Sequence, residues 1–411
     1  MTPSSTTEPF EGYLPGSTEY RRVLIALFAA GVATFVLIWS TQALLPAFVD
    51  AFAITPAQSA MSLSVTTAGL AVALLVAGPL SEAIGRTRMI HLSLWTSALI
   101  AVACAFAPSW HVLVVLRLLQ GITLAGLPAV ATAYLREELH PSVQARAAGL
   151  YIGGNAIGGM AGRLVTAPMD DLGGWRWAMG AAAVLALAGA VAVAFTLPRS
   201  RNFVPRPTTA PDLLAQTRRA LADPALLALY GIGACGMGVL SATFNSLGFR
   251  LTSAPFHLTE GGFSLIYLLY AFGATSSAMT GRAADRFGQR AVAPVGCLLG
   301  LVGIALTLTS SLPTIIVGIA LLTVGFFSLH GLASGWVVAR SHALGASTGQ
   351  AASLYLFTYY VGAAVFGNLG SAAWAQAGWA GPATLVVVLL LIAAGLTMAL
   401  RHTRPLVLPA H

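Results

Sequence analysis

The sequence predicts an all-α polytopic membrane protein with twelve transmembrane helices arranged as two pseudo-symmetric six-helix halves. Three observations carry that expectation. Charged residues make up only 8% of the 411, against about 25% in soluble globular chains. The arginines fall almost wholly on one side of the deduced spans, and motifs of the first half return in the second at a near-constant offset.

Charge-free runs of roughly 20 residues, each long enough to cross a hydrocarbon core about 30 Å thick, recur along the chain. They place spans at 23–48, 59–80, 89–107, 111–134, 145–168, 176–197, 225–249, 262–280, 291–310, 314–339, 350–372 and 381–400. Residues 1–22 read as a polar cytoplasmic tail. Three acids, no early basic region and no small-residue cleavage site before the first apolar run argue against a signal peptide. Residues 198–224 form the longest polar segment inside the chain and are expected to link a bundle at 23–197 to one at 225–400, with 401–411 as a second cytoplasmic tail.

All 21 basic residues are arginine. Seventeen of them, including Arg86, Arg88, Arg206, Arg286, Arg290, Arg340 and Arg404, lie in the N-terminal tail, the even-to-odd loops, the central linker and the C-terminus. Only Arg176 and Arg250 fall on the opposite side, and Arg117 and Arg163 fall within spans. Positive charge gathers on cytoplasmic loops, so both termini and the linker are expected in the cytoplasm. The formal charge of +8 is then a topology signal facing the lipid bilayer, not a surface for nucleic acid.

The repeat supports the same span count. GPLSEAIGRTR at 78 matches GRAADRFGQR at 281, with Gly78, Glu82 and Gly85 paired to Gly281, Asp285 and Gly288. AAGLYIGGNAIGG from Ala147 matches AASLYLFTYYVGA from Ala351, and the Gly-Trp pair at 174 matches that at 378. Repeats of this kind place a binding site near the bilayer midplane, between halves that rock against each other.

With these residues in view, the chain resembles the major facilitator superfamily over essentially its whole length. The family's loop between spans 2 and 3 reads roughly G-x-L-A-D-R-x-G-R-R; here Gly78, Leu80, Gly85 and Arg86 match, Glu82 takes the acidic place and Ala83 departs from the usual Arg. The resemblance implies a latch at the cytoplasmic ends made by Gly78, Glu82, Gly85 and Arg86, with a degenerate copy at Gly281, Asp285 and Gly288, whose glycines let helices approach closely. VVLRLLQGITLAGLPA in span 4 looks like the R-x-x-Q-G pattern of the superfamily's drug and proton antiporters, which ties Arg117 to proton coupling. In span 5, GLYIGGNAIGGMAGR lacks the Pro of the antiporter pattern, while Gly154, Gly158 and Gly162 form a strip for close helix packing. TQALLPAF in span 1 and SLYLFTYYVG in span 11 look most similar to YnfM-like bacterial inner-membrane efflux transporters, which implies a bacterial cytoplasmic membrane.

Arg163 is a candidate ligand for an anionic or carboxylate-bearing substrate, because guanidinium binds such groups bidentately. A structural ion pair with Asp170 or Asp171 is the competing reading. Asn155, eight residues earlier, lies about 80° away around the same helix and also reaches a cavity. Asn245 of span 7 is a third candidate. Arg250 at the outer end of that span either snorkels to the interface or extends a positive route from Arg163. Tyr355 and Tyr359 share a helix face, as a cavity wall requires, or serve as packing. His330 is the one mid-span side chain of a type whose unperturbed pKa lies near neutrality, which makes it a candidate proton carrier or a hydrogen-bonded packing residue; His91 is a poorer one.

No Asp or Glu lies deep in a span, which favours anionic, zwitterionic or neutral amphiphilic substrates over cations. Asp50, at the outer end of span 1, would reopen the cation reading and add a proton site if it lies deeper. The three cysteines lack metal-ligand spacing, and phosphate-loop, nucleophile-elbow and zinc-protease motifs are absent. The expectation is therefore no enzyme, no metal and no cofactor. A monomeric secondary transporter remains, most simply one that exports a small molecule against protons. Uptake of a small organic anion by symport or exchange, and a non-transporting sensor or passive lipid-flipping protein of the same fold, stay open.

Overall fold

The structure is a computed structural model that describes residues 12–203, 205 and 210–403. Arg206, Arg404 and the outer parts of both expected tails lie outside the described residues. The helices run, in chain order, α1 (Thr18–Trp39), α2 (Leu45–Phe52), α3 (Pro56–Ile84), α4 (Arg86–Ala105), α5 (Trp110–Leu124), α6 (Gly126–Glu138), α7 (Pro141–Gly173), α8 (Trp175–Thr196), α9 (Ala210–Ala222), α10 (Pro224–Thr252), α11 (Glu260–Ser264), α12 (Tyr270–Phe287), α13 (Gln289–Leu306), α14 (Leu312–Ala343), α15 (Thr348–Ala377) and α16 (Ala380–His402). A short 3-10 turn, Leu265–Leu269, joins α11 to α12.

Three expected spans are interrupted. The first divides into α1 and α2 because Pro46 carries no N–H, which frees the carbonyl four residues earlier. Residues 40–44 turn instead, with the Gln42 N–H donating to Trp39 O at 3.1 Å and the Leu44 N–H to Thr41 O at 3.1 Å. The fourth span kinks at Ala125, between α5 and α6. The eighth is α11, the 3-10 turn and α12 in succession.

Among the described residues, ten segments are long and apolar enough to cross a membrane. The remaining two of the twelve crossing helices are α7 and α15, at 33 and 30 residues. These two are repeat equivalents, and their apolar content falls because Gly, Asn, Tyr and Thr replace Leu and Val. Each packs closely on its own half through a matched glycine. A Cβ on Gly158 would lie 2.4 Å from Val32 O of α1, and one on Gly362 would lie 2.2 Å from Ala234 O of α10.

The two halves, α1–α8 and α10–α16, meet where α3 faces α15 and where α7 faces α11, α12 and the 3-10 turn. Side-chain hydrogen bonds cross between them from Gln42 to Asn245, Arg163 to Tyr270 and Asn368 to Ala57 O, and Asp171 accepts from the backbone of Glu260 and Gly261. All lie at mid-depth or toward the face remote from the termini, since α7 and α15 end there and α3 and α11 begin there. On the face carrying the termini, Arg86 pairs with Glu82 and Glu137 within the first half, and Arg340 pairs with Asp223 within the second. Among the described residues, the side-chain hydrogen bonds that join the halves thus lie from mid-depth to the remote face.

Candidate functional site

Arg117 explains how the broken first span is held. Its side chain is fully buried, and a guanidinium at that depth needs acceptors. It donates from Nη1 to Leu37 O at 2.9 Å and to Gln120 Oε1, from Nη2 to Ile38 O at 3.2 Å, and from Nε to Ser62 O at 3.1 Å. The carbonyls at the end of α1 are thus satisfied by α5, and the turn that carries Gln42 is fixed from behind.

Gln42 projects from that turn into the interface between the halves. Arg163 Nε donates to Gln42 Oε1 at 2.6 Å, and Gln42 Nε2 donates to Asn245 Oδ1 at 2.6 Å. The direction of this relay is set at its charged end: a guanidinium only donates, so Gln42 must present its oxygen to Arg163 and its amide hydrogens to Asn245. Asn245 Nδ2 is left buried with no partner. Arg163 further donates from Nη1 to Gly159 O at 2.7 Å and from Nη2 to the Tyr270 hydroxyl at 3.3 Å.

Three rings surround the same guanidinium. Its central carbon lies 4.7 Å from the Trp39 ring, 4.9 Å from Tyr267 and 4.7 Å from Tyr270. Trp39 belongs to one half and the two tyrosines to the other, so the charge is held between the halves by π faces and neutral acceptors. The expected alternative pair with Asp170 or Asp171 does not form. Asp171 instead accepts the Glu260 N–H at 3.2 Å and the Gly261 N–H at 2.8 Å, capping α11 across the interface.

An aromatic wall leads from this point into the second half. Tyr270 meets Phe327 at 5.8 Å between centroids, Phe327 meets Phe326 at 5.0 Å, Phe326 stacks on His330 at 5.7 Å, and His330 meets Tyr359 at 4.8 Å. His330 Nδ1 is 2.8 Å from the Tyr355 hydroxyl. Tyr355 and Tyr359 thus share a face around His330, as their spacing requires. Asn155 is half-buried on α7, with Oδ1 buried and unpartnered against Gly31 of α1.

Two candidates stand apart. Arg250 does not extend a route from Arg163: it donates to Thr307 O and, at 2.7 Å, to Thr309 O, capping the end of α13, and its guanidinium covers the Trp379 ring at 4.6 Å. The reason is local, because α10 reaches Thr252 and carries Arg250 past the cavity to the helix ends. Asp50 is exposed on α2. The break at 40–44 turns that short helix outward, so no carboxylate is brought toward Arg117 or Arg163 from this position.

At the two repeated Gly-rich turns on the termini face, Gly85 (φ 96°) and Gly288 (φ 84°) adopt the left-handed backbone that connects α3 to α4 and α12 to α13. Gly78 and Gly281 differ from expectation: nothing lies within 4 Å of where their Cβ atoms would stand. Arg86 bonds Glu82, Ser81 and, at 3.0 Å, Glu137, an acid the motif reading missed. Asp285 is exposed, and among the described residues the second half is tied instead by Arg340 to Asp223 at 2.8 Å.

The central residue that sequence reasoning missed is Gln42. It stands 203 positions before Asn245, the same offset that relates Gly78 to Gly281. The signal was present, but a lone amide four residues before a proline carries no helix-period cue.

Comparison with known proteins agrees with this architecture. The chain is 39% identical over 379 residues to the MFS-type transporter YybF of Bacillus subtilis (strain 168), covering 92% of this chain and 93% of that one. It is 39% identical over 389 residues to the inner membrane transport protein YnfM of Escherichia coli (strain K12), covering 95% and 93%. A bacterial homolog of the human lysosomal transporter Spinster, solved in an inward-facing and unoccupied conformation, superposes with a TM-score of 0.78 at 17% identity over 94% of this chain and 97% of its own. The Major Facilitator Superfamily model matches residues 24–278. With its relatives, its helices and its duplicated halves in agreement, the chain belongs to the Major Facilitator Superfamily and is a multi-pass membrane transporter.

Proposed function

We propose that this protein is a monomeric, proton-coupled exporter of a small amphiphilic compound, anionic, zwitterionic or neutral, in a bacterial cytoplasmic membrane. Both termini and the linker face the cytoplasm, and the bundles at 23–197 and 225–400 alternate around the relay of Arg163, Gln42 and Asn245. The observation that carries the reading is the position of Arg163: a buried cation between the halves, held by neutral acceptors and rings, with no carboxylate. A cationic substrate would meet repulsion there; an anion or dipole would be drawn in. Asn155, Tyr355 and Tyr359 line the approach from the termini side, and His330 with Tyr355 offers a proton site in the second half. Arg117 acts behind the relay by fixing the turn that carries Gln42. The cytoplasmic turns at Gly78–Arg86 and Gly281–Gly288 close against the other half when the remote face opens.

Purified protein in proteoliposomes loaded with a pH-sensitive dye tests this reading. Compounds that raise the melting temperature are added from outside, and proton movement is followed. Counter-movement of protons that disappears in Arg163→Gln supports coupled transport. Substrate flux indifferent to the pH gradient counts against it.

A further inference from the structure

Resting on the transport reading above, the geometry points to an aromatic monocarboxylate as the substrate class. Its carboxylate is held by Arg163, Asn245 and Tyr267, and its ring lies along the Tyr270–Phe327–Phe326 wall.

The chemistry around Arg163 is rich in donors and poor in acceptors. Guanidinium has five N–H donors, and three bonds are made, to Gln42, Gly159 O and Tyr270. The relay through Gln42 ends on Asn245 Nδ2, a buried donor with no partner on a residue only 1% exposed. The Tyr267 hydroxyl, on a ring packed against the same guanidinium, is also buried and unpartnered. Unpaired buried donors are costly unless something accepts from them. An ionised carboxylate is the matching group, since it accepts at two oxygens and donates nothing. A primary amide would bring donors to face donors, and an ammonium would bring like charge. One unpaired guanidinium balances one negative charge, which selects a monoanion over a phosphate dianion.

The repeat sets the neighbour of that donor. Where α7 carries Arg163, the aligned position of α15 is Gly367, and a Cβ there would lie 2.8 Å from Asn245 Nδ2, so the glycine leaves the room that the amide occupies. The second half therefore supplies a donor where the first supplies the charge. Beyond the charge lies an aromatic surface: Tyr270, Phe327 and Phe326 present edge contacts of the kind a flat ring joins.

Calorimetry and thermal shift on detergent-purified full-length protein would use 2-naphthoate, 2-naphthamide, 2-naphthylmethylammonium and decahydro-2-naphthoate as probes. Naphthoate is expected to bind at least about 10-fold more tightly than the amide or the ammonium. It should bind about 5- to 10-fold more tightly than its saturated analogue. Tyr267→Phe, which keeps the ring, is expected to weaken naphthoate about 5- to 10-fold and leave naphthamide unchanged. Arg163→Gln should abolish the preference for carboxylate; because this variant risks misfolding, Tyr267→Phe and Asn245→Leu provide the independent reading. Equal binding of carboxylate and amide overturns the proposal, as does equal binding of the aromatic and saturated acids. If no carboxylate binds while another compound still drives proton counter-flow, the substrate class is wrong and the transport reading stands.

Discussion

Gln42 and Asn245 occupy equivalent positions in the two repeats, and they hydrogen-bond each other across the interface at 2.6 Å. A residue and its repeat mate can touch only near the pseudo-twofold axis, so this bond marks that axis. Gln42 also accepts from Arg163 at 2.6 Å, which ties the central charge to the closed remote face.

Removing that link should loosen closure. A net hydrogen bond is worth about 0.5–1.5 kcal/mol, so Gln42→Leu is expected to raise the remote-open population about 2- to 10-fold. Ala57→Cys, at the α3–α15 contact, reports this through maleimide labelling. The native cysteines are all buried and give little background. Unchanged labelling in Gln42→Leu would remove the relay from the gating account.

Arg250 and Arg163 should separate cleanly. Arg250 caps α13 and covers Trp379, so Arg250→Gln is expected to cost about 2–4 kcal/mol of stability without altering ligand preference. A thermal shift alongside a binding titration distinguishes the two; loss of preference in Arg250→Gln would reinstate it at the site.

Glycine substitutions test the packing. Gly158→Ala and Gly362→Ala place methyl groups 2.4 Å and 2.2 Å from backbone carbonyl oxygens, and overpacking of this kind costs about 1–3 kcal/mol. Gly78→Ala meets open space and should leave the melting temperature unaltered in this conformation. Equal destabilisation of all three would contradict the crossing geometry.

The Asp223–Arg340 pair predicts a pH signature. Burial pushes the Asp223 carboxyl up, but the hydrogen bond from Arg340 and the capping N–H of Leu226 outweigh it and leave the group below its ordinary 3.8. A depressed carboxylate stabilises the fold above that ordinary value, and the contribution fades as pH falls below it. Asp223→Asn keeps the helix cap and removes the charge. Its melting temperature should therefore lie several degrees below wild type at neutral pH, with the gap narrowing below about pH 4.

His330 carries the remaining test of proton coupling. If the pair with Tyr355 relays protons, His330→Gln should flatten the pH dependence of transport while sparing ligand binding. Tyr355→Phe, which removes the bonded hydroxyl, should shift that dependence along the pH axis. An unaltered profile in both would place the proton elsewhere.

The sequence by itself determined the membrane environment, the twelve spans, the duplication and the family. Each rests on composition or on order along one chain: lipid excludes charge, cytoplasmic loops retain arginine, and a repeat is visible as an offset. It also singled out Arg117, Arg163 and Asn245, because a polar group inside an apolar span stands out. What surrounds those groups was decided only by tertiary structure. Arg163 meets Gln42 from another helix and Tyr267 and Tyr270 from the other half, while Arg250, one residue type and one expected role, is carried past the cavity to cap α13. Helix periodicity gives the face of a side chain but not its depth or its neighbour across an interface. Those depend on where a proline breaks α1 and on which glycines let α7 and α15 approach their own halves.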